Sequence, residues 1–226
     1  MRSKTWLDQN PTARYVAPFL CFIAFLAISP KLALDARWDS PLRVIVLGIV
    51  CYICWPRELS LKPVRPLLSI LVGIAVFLLW IAPDVLIHGY RHNFLFSNRL
   101  WKLQSSLQPS ELHSSWVLFW RTLRAVVIVP IVEELFWRAW LMRWIINPDF
   151  EKVPLGAYSA LAFWVTAVLF ASEHGAYWDV GLLTGIVYNF WMIRTKSVAD
   201  CIVMHAVTNA VLSAYTIATA QWQYWQ

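Results

Sequence analysis

Seven apolar runs separated by short polar breaks cover most of this chain, and they fix what it can fold into. They lie at about 13–29, 42–55, 67–82, 116–142, 155–173, 178–193 and 197–220. A helix needs about 20 mostly apolar residues to cross a bilayer. Within the hydrocarbon every backbone N–H and C=O must be satisfied inside the segment itself. The expectation is an all-α, polytopic transmembrane helical bundle of about seven or eight membrane helices, forming a single membrane-embedded domain over residues 1–226. The second and third runs are short, so they borrow flanking residues, or the second re-enters. The fourth is long, and Pro130 is expected to kink it.

Composition supports this. Hydrophobic residues make up 59% and charged residues 14%, against roughly 45–50% and 25% in a soluble domain. The mean hydropathy is +0.55. The net charge of +6 raises the question of nucleic acid, but the Lys and Arg lie mostly between the runs. There they read as topology signals and contacts to anionic head groups, with membrane lipid as the partner and no nucleic acid. Arg2, Lys4 and Arg14 precede the run from Tyr15 to Ile28, which ends at Ser29-Pro30-Lys31 without a small-residue cleavage site. An uncleaved first membrane helix is expected, in an integral, multi-pass protein.

The loop charges favour a cytoplasmic N-terminus. Simple up-and-down threading then puts His174 towards the outer end of its helix and His205 nearer the inner side, at odds with a shared site. The polar stretch at about 83–115 is expected to hold a short interfacial helix around Trp101, Leu103 and Leu107. Cys21, Cys51, Cys54 and Cys201 all fall in apolar runs and read as small buried apolar residues. His88 and His92, four residues apart beside Gly89, read as a loop feature. Gly181 and Gly185 read as a close helix-packing face, and the many Trp near run ends as interfacial anchors.

Ionisable side chains are costly inside a membrane and mark function there. Glu133 and Glu134 follow an unbroken apolar stretch around Pro130. Arg138 is four residues after Glu134, so the two can pair in the favourable order. Glu133 then lies about 100° round the helix, free to act as a general base on water while Glu134 and Arg138 hold the helix geometry. The alternative is a wholly structural Glu–Arg pair, although one arginine does not neutralise two carboxylates. Phe170 and His174 share a face, and a histidine at a helix end can simply be an interfacial hydrogen-bonding residue. His205 and Asn209 also share a face. They can stabilise an oxyanion or serve interhelical hydrogen bonding. Glu133, His174 and His205 could also supply a three-ligand zinc site with an open position, although the chain has no His-Glu-x-x-His helix. Arg121 and Arg124 either snorkel to head groups or line a polar cavity.

Glu133-Glu134-x-x-x-Arg138, Phe170-x-x-x-His174 and His205-x-x-x-Asn209, in that order on successive membrane segments, resemble the CPBP family. These are the CAAX prenyl endopeptidases and bacteriocin-processing enzymes, also called the Abi family. The resemblance covers a core at 116–215. It implies an intramembrane endopeptidase with Glu133 as the base that activates water. It also implies that His174, His205 and Asn209 complete the site and stabilise the oxyanion, with Glu134 and Arg138 in the same constellation. The family has been described both as metalloproteases and as metal-independent glutamate proteases. The reading preferred here requires no cofactor, with zinc as the alternative. The chain is also similar to small bacterial members associated with exosortase and exopolysaccharide systems. That likeness implies an inner-membrane protein acting on a sorted or secreted protein rather than a prenylated one. The expected partner is thus a peptide or protein substrate, lipid-modified or sorted. The rival reading is a non-catalytic immunity factor, scaffold or small transporter using the same polar residues. No inverted repeat supports a transporter, and the intact motif set argues against a degenerate scaffold.

Overall fold

The computed structural model describes residues 5–32, 34–98 and 105–225, and these form helices without strands. After a short turn of helix at Trp6–Gln9, seven longer helices follow: α1 Pro11–Leu32, α2 Ala36–Cys54, α3 Pro66–Leu86, α4 Ser115–Ile146, α5 Ala160–Ser172, α6 Trp178–Thr195 and α7 Val198–Thr219. Each expected apolar run becomes one of them. By length and composition, α1 (over Pro11–Ser29), α3, α4 and α7 can cross a membrane. The other three fall short of a plain span. Helix α2 carries Arg37, Asp39 and Arg43, α6 carries Asp179 and Arg194, and α5 has only 13 residues. Trp101 and Leu103 of the expected interfacial helix lie outside the described residues, and Leu107 sits in a bend.

Helix boundaries follow ordinary capping chemistry. The Ser114 hydroxyl accepts from Val117 N at 3.5 Å to start α4, and the Asp35 carboxylate accepts from Arg37 N at 2.9 Å to start α2. Pro66 occupies the first position of α3, where a missing N–H costs nothing. The free N–H groups around that end are taken from across the fold. Fully buried Asp200, in the first turn of α7, accepts from Val64 N at 2.6 Å, Arg65 N at 2.7 Å and the Ser69 hydroxyl at 2.9 Å. Helix α6 ends at Lys196, whose left-handed φ of 54° turns the chain into α7.

Helix α4 runs through the middle, touching α1, α2, α5 and α7. Helix α7 packs most extensively on α3, and α5 on α6. The α3–α7 contact depends on Gly73, where an added Cβ would stand 2.5 Å from the Met204 carbonyl oxygen. Tyr15, Leu47, Val132, Leu135, Tyr188, Met192, Cys201 and Met204 form the apolar centre. Cys51, Cys54 and Cys201 are buried free thiols, as their apolar setting indicated. The large hydrophobics left exposed, such as Ile45, Ile49, Leu71 and Leu78, lie on outward helix faces, as in a bundle solvated by lipid.

Helix α5 departs from expectation in a way that matters for the site. Its apolar run was expected to begin near 155, but Gly156 holds a φ of 75° and the helix starts only at Ala160. Thirteen residues rise about 20 Å, well short of a hydrocarbon core about 30 Å thick. The helix is therefore too short for a plain span, and His174, just beyond its end, lines the same cavity as His205. Simple up-and-down threading counted α5 as a full span, which its 13 residues do not supply.

Candidate active site

The site begins with Pro130. Its ring nitrogen has no hydrogen to give an upstream carbonyl. The chain forms a π turn over Arg124–Ile128 just before it, and Val129 N donates to Arg124 O, five residues back. The next partner in that pattern is Pro130, so the Ala125 carbonyl is left over. The Asn209 carboxamide Nδ2 donates to it at 2.8 Å. Asn209 on α7 is thus fixed by a defect in α4, and one Nδ2 hydrogen stays available to the cavity. A second π segment, Leu135–Leu141, follows the two glutamates.

Glu133 and Glu134 point apart, as helical geometry requires. Glu134 and Arg138 are fully buried, with Nη1 to Oε1 at 3.3 Å. Arg138 Nε also donates to the Asn189 Oδ1 at 3.2 Å, and Asn189 Nδ2 donates to the Phe163 carbonyl at 2.9 Å. This chain ties α4 to α6 and α5. The guanidinium lies over the rings of Phe170 at 4.4 Å and Tyr188 at 5.2 Å, a favourable setting for a desolvated cation. Glu134 Oε1 stands 2.9 Å from His205 Nδ1 as well. A carboxylate only accepts, so Nδ1 carries the hydrogen and Nε2 is the nitrogen left for the cavity.

His174 is set the same way by a different acceptor. Its Nδ1 lies 2.7 Å from the Phe170 carbonyl oxygen, so the hydrogen is on Nδ1 and Nε2 of the neutral ring is an acceptor. The ring packs against Trp80 at 5.2 Å and Phe170 at 4.7 Å. Gly181 makes room for it, since an added Cβ there would meet His174 Cβ and Cγ at 3.1 Å. Gly185 likewise lets α6 lie against Ala167 and Phe170 of α5. The glycine pair read as a packing face therefore also seats a candidate site residue.

Glu133, His174, His205 and Asn209 all line one cavity of about 400 Å³. Glu133 is buried, and its Oε2 has no hydrogen-bond partner among the described residues. Glu134 and Arg138 stand behind the wall, outside the lining. Arg121, Arg124 and Glu173 line it too, with Trp80, Phe170 and Tyr188 supplying apolar wall. Such a cavity places a carboxylate, two imidazoles and a carboxamide around one space large enough for a water and part of a peptide. Among the described residues no three His, Cys, Asp or Glu side chains form a group able to hold a metal ion. The trio Glu133, His174 and His205 is thus not assembled as a ligand set.

Asn189, Tyr188 and the link from Glu134 to His205 were not found from the sequence. An asparagine in the middle of an apolar helix was the available signal for the first. His88 and His92 lie in the turns that follow α3, where Arg91 joins Asp84 and Asp179 at 2.9 Å each, away from the cavity.

Residues 115–211 match the family model described as Type II CAAX prenyl endopeptidase Rce1-like. This agrees with the CPBP resemblance carried by the three motifs and supports a membrane-embedded peptidase. No curated protein and no solved structure matches the chain.

Proposed function

We propose that this Rce1-like chain is an intramembrane endopeptidase that hydrolyses a peptide bond with water activated by Glu133. The convergence of Glu133, His174, His205 and Asn209 on one cavity, with Glu134 and Arg138 bound behind it, carries this reading. The ionised Glu133 takes a proton from water as the hydroxyl oxygen attacks the peptide carbonyl. The resulting oxyanion is met by the second Nδ2 hydrogen of Asn209 and by an Nε2–H of the doubly protonated His205 ring, whose Nδ1–H donates to Glu134. His174, an acceptor at Nε2, receives a hydrogen bond from the attacking water and so orients it. On collapse, the Glu133 carboxylic acid gives its proton to the departing amine, which restores the carboxylate. The substrate is an extended segment of a membrane-associated or sorted protein.

Glu133→Gln keeps shape and removes basicity. Cleavage of a quenched fluorescent peptide pool by the full chain in detergent should fall at least about a hundredfold, with the melting temperature unchanged and with chelator making no difference to the wild type. Full activity in the variant removes Glu133 from its role. Wild-type cleavage abolished by chelator and restored by zinc returns the metal reading. A wild type that cuts nothing favours the non-catalytic alternative.

A further inference from the structure

We infer that Thr184 and Tyr188, on one face of α6, form a rail that hydrogen-bonds the backbone of the peptide being cut. The inference rests on the endopeptidase reading and names how that cavity holds its substrate. Both residues line the cavity that contains Glu133, His174 and His205. Thr184 is 2% exposed and Tyr188 0%, and neither hydroxyl has a hydrogen-bond partner among the described residues. A Thr inside a helix often bonds back to its own helix, as Thr195 does to the Trp191 carbonyl at 2.9 Å. Thr184 does not. Thr208 on α7 bears on the Tyr188 phenol, but the two do not meet in hydrogen-bond geometry. The Thr208 hydrogen goes to the Gly73 and Met204 carbonyls, at 2.9 and 3.1 Å. A buried hydroxyl without a partner is costly, and two of them on one helix face point to an occupant that meets both.

The face they share runs from one imidazole to the other. Gly181, Thr184 and Tyr188 fall within an arc of about 60° on α6. At one end Gly181 seats His174, since an added Cβ would stand 3.1 Å from the histidine Cβ. At the other the Tyr188 ring lies 5.1 Å from the ring of His205. Seven residues of helix rise about 10 Å, the length of about three extended residues. The rail thus lies beside the stretch of substrate that meets the two histidines.

Spacing favours a peptide over separate waters. Thr184 and Tyr188 are four residues apart, about 6 Å along the helix. An extended chain points its backbone groups the same way at every second residue, about 6.5 Å. A segment drawn out of helix within a membrane bares N–H and C=O groups that hydrocarbon does not satisfy. A hydroxyl both donates and accepts, so it meets either group. The rail therefore reads extended shape rather than side chains.

The test uses the full chain in detergent and one quenched fluorescent peptide that the wild type cuts, with each non-scissile amide near the cut replaced in turn by an ester. Thr184→Val and Tyr188→Phe remove the hydroxyls and keep the shapes. Each variant should lose about tenfold in kcat/KM, with the melting temperature equal to that of the wild type or higher. An ester at one position should cost the wild type about tenfold, and that cost should vanish in the variant whose hydroxyl held that position. Full activity in both variants overturns the rail. So do ester and variant losses that multiply at every position, which assign the hydroxyls to water. A melting temperature that falls in both variants shows the hydroxyls to be partnered within the fold and also overturns it. If the wild type cuts no peptide, the endopeptidase reading fails, and binding of the same peptides decides the rail. About tenfold weaker binding of an ester form, absent from the variants, sustains it, and equal binding ends it.

Discussion

Glu134 has no contact with solvent, and neither has Arg138, 3.3 Å away. Removing one partner of such a pair leaves a buried charge with nothing to meet it, which costs about 3–5 kcal/mol. Glu134→Ala should therefore lower the melting temperature in detergent and abolish activity together. It also releases His205 Nδ1 from its 2.9 Å contact. Glu133→Gln is expected to separate the two readouts, since Glu133 lines the cavity and forms no hydrogen bond or ion pair among the described residues. Thermal unfolding of both variants, read beside activity, distinguishes the adjacent carboxylates. Parallel losses in the two variants would mean that Glu133 is structural. Gly181 supplies a second residue-scale test. A methyl group there would stand 3.1 Å from His174 Cβ and Cγ and 3.2 Å from Nδ1, so the ring must shift. Because catalytic geometry tolerates little displacement, Gly181→Ala should reduce kcat by about tenfold to a hundredfold. Its effect on stability should stay within about 1–3 kcal/mol. Unchanged kcat would show that His174 has no role in positioning the water.

Helix α4 carries two irregular turns, and the first gives a prediction that runs against the usual sense of a proline substitution. A proline inside a helix costs about 3 kcal/mol through its missing donor and its ring. Pro130→Ala restores an N–H that can bond Ala125 O or Val126 O, so the protein should be as stable as the wild type or more so. The restored donor competes with Asn209 for Ala125, however, and Asn209 should lose its 2.8 Å bond. Activity should drop about tenfold or more while melting temperature holds or rises. A variant both stable and fully active would show that the π turn is incidental. This is also where the sequence stops being legible. The apolar runs of α1 to α7 were readable because a bilayer admits little besides helix. The Glu134–Arg138 pair was readable because four residues close one turn. The sequence pointed to a kink at Pro130, but how the helix would absorb the lost donor depends on whether a partner such as Asn209 stands across the gap. That is a tertiary fact. The start of α5 was misplaced for a similar reason, since hydropathy does not register the positive φ at Gly156.

Taken whole, the molecule buries a polar network within its apolar core and leaves many large apolar side chains on the outside. Arg138, Glu134, Asn189 and Asp200 are fully buried, while Leu71 and Leu78 on α3 stand 53% and 56% exposed. In water such an exterior would favour aggregation. In lipid it is the solvated surface, and the inner polar network is what holds helices together where apolar burial gives no advantage. The two settings predict opposite responses to one substitution. Leu78 lies well inside Pro66–Leu86 with its side chain outward. On the surface of a soluble bundle Leu78→Asp would be worth no more than about 0.5 kcal/mol. Facing hydrocarbon, it should cost about 2.5–3.5 kcal/mol of insertion free energy. The fraction of chain resisting alkaline extraction from membranes should fall accordingly. Asp at this position left fully integrated would mean that this face of α3 meets water or another protein rather than lipid.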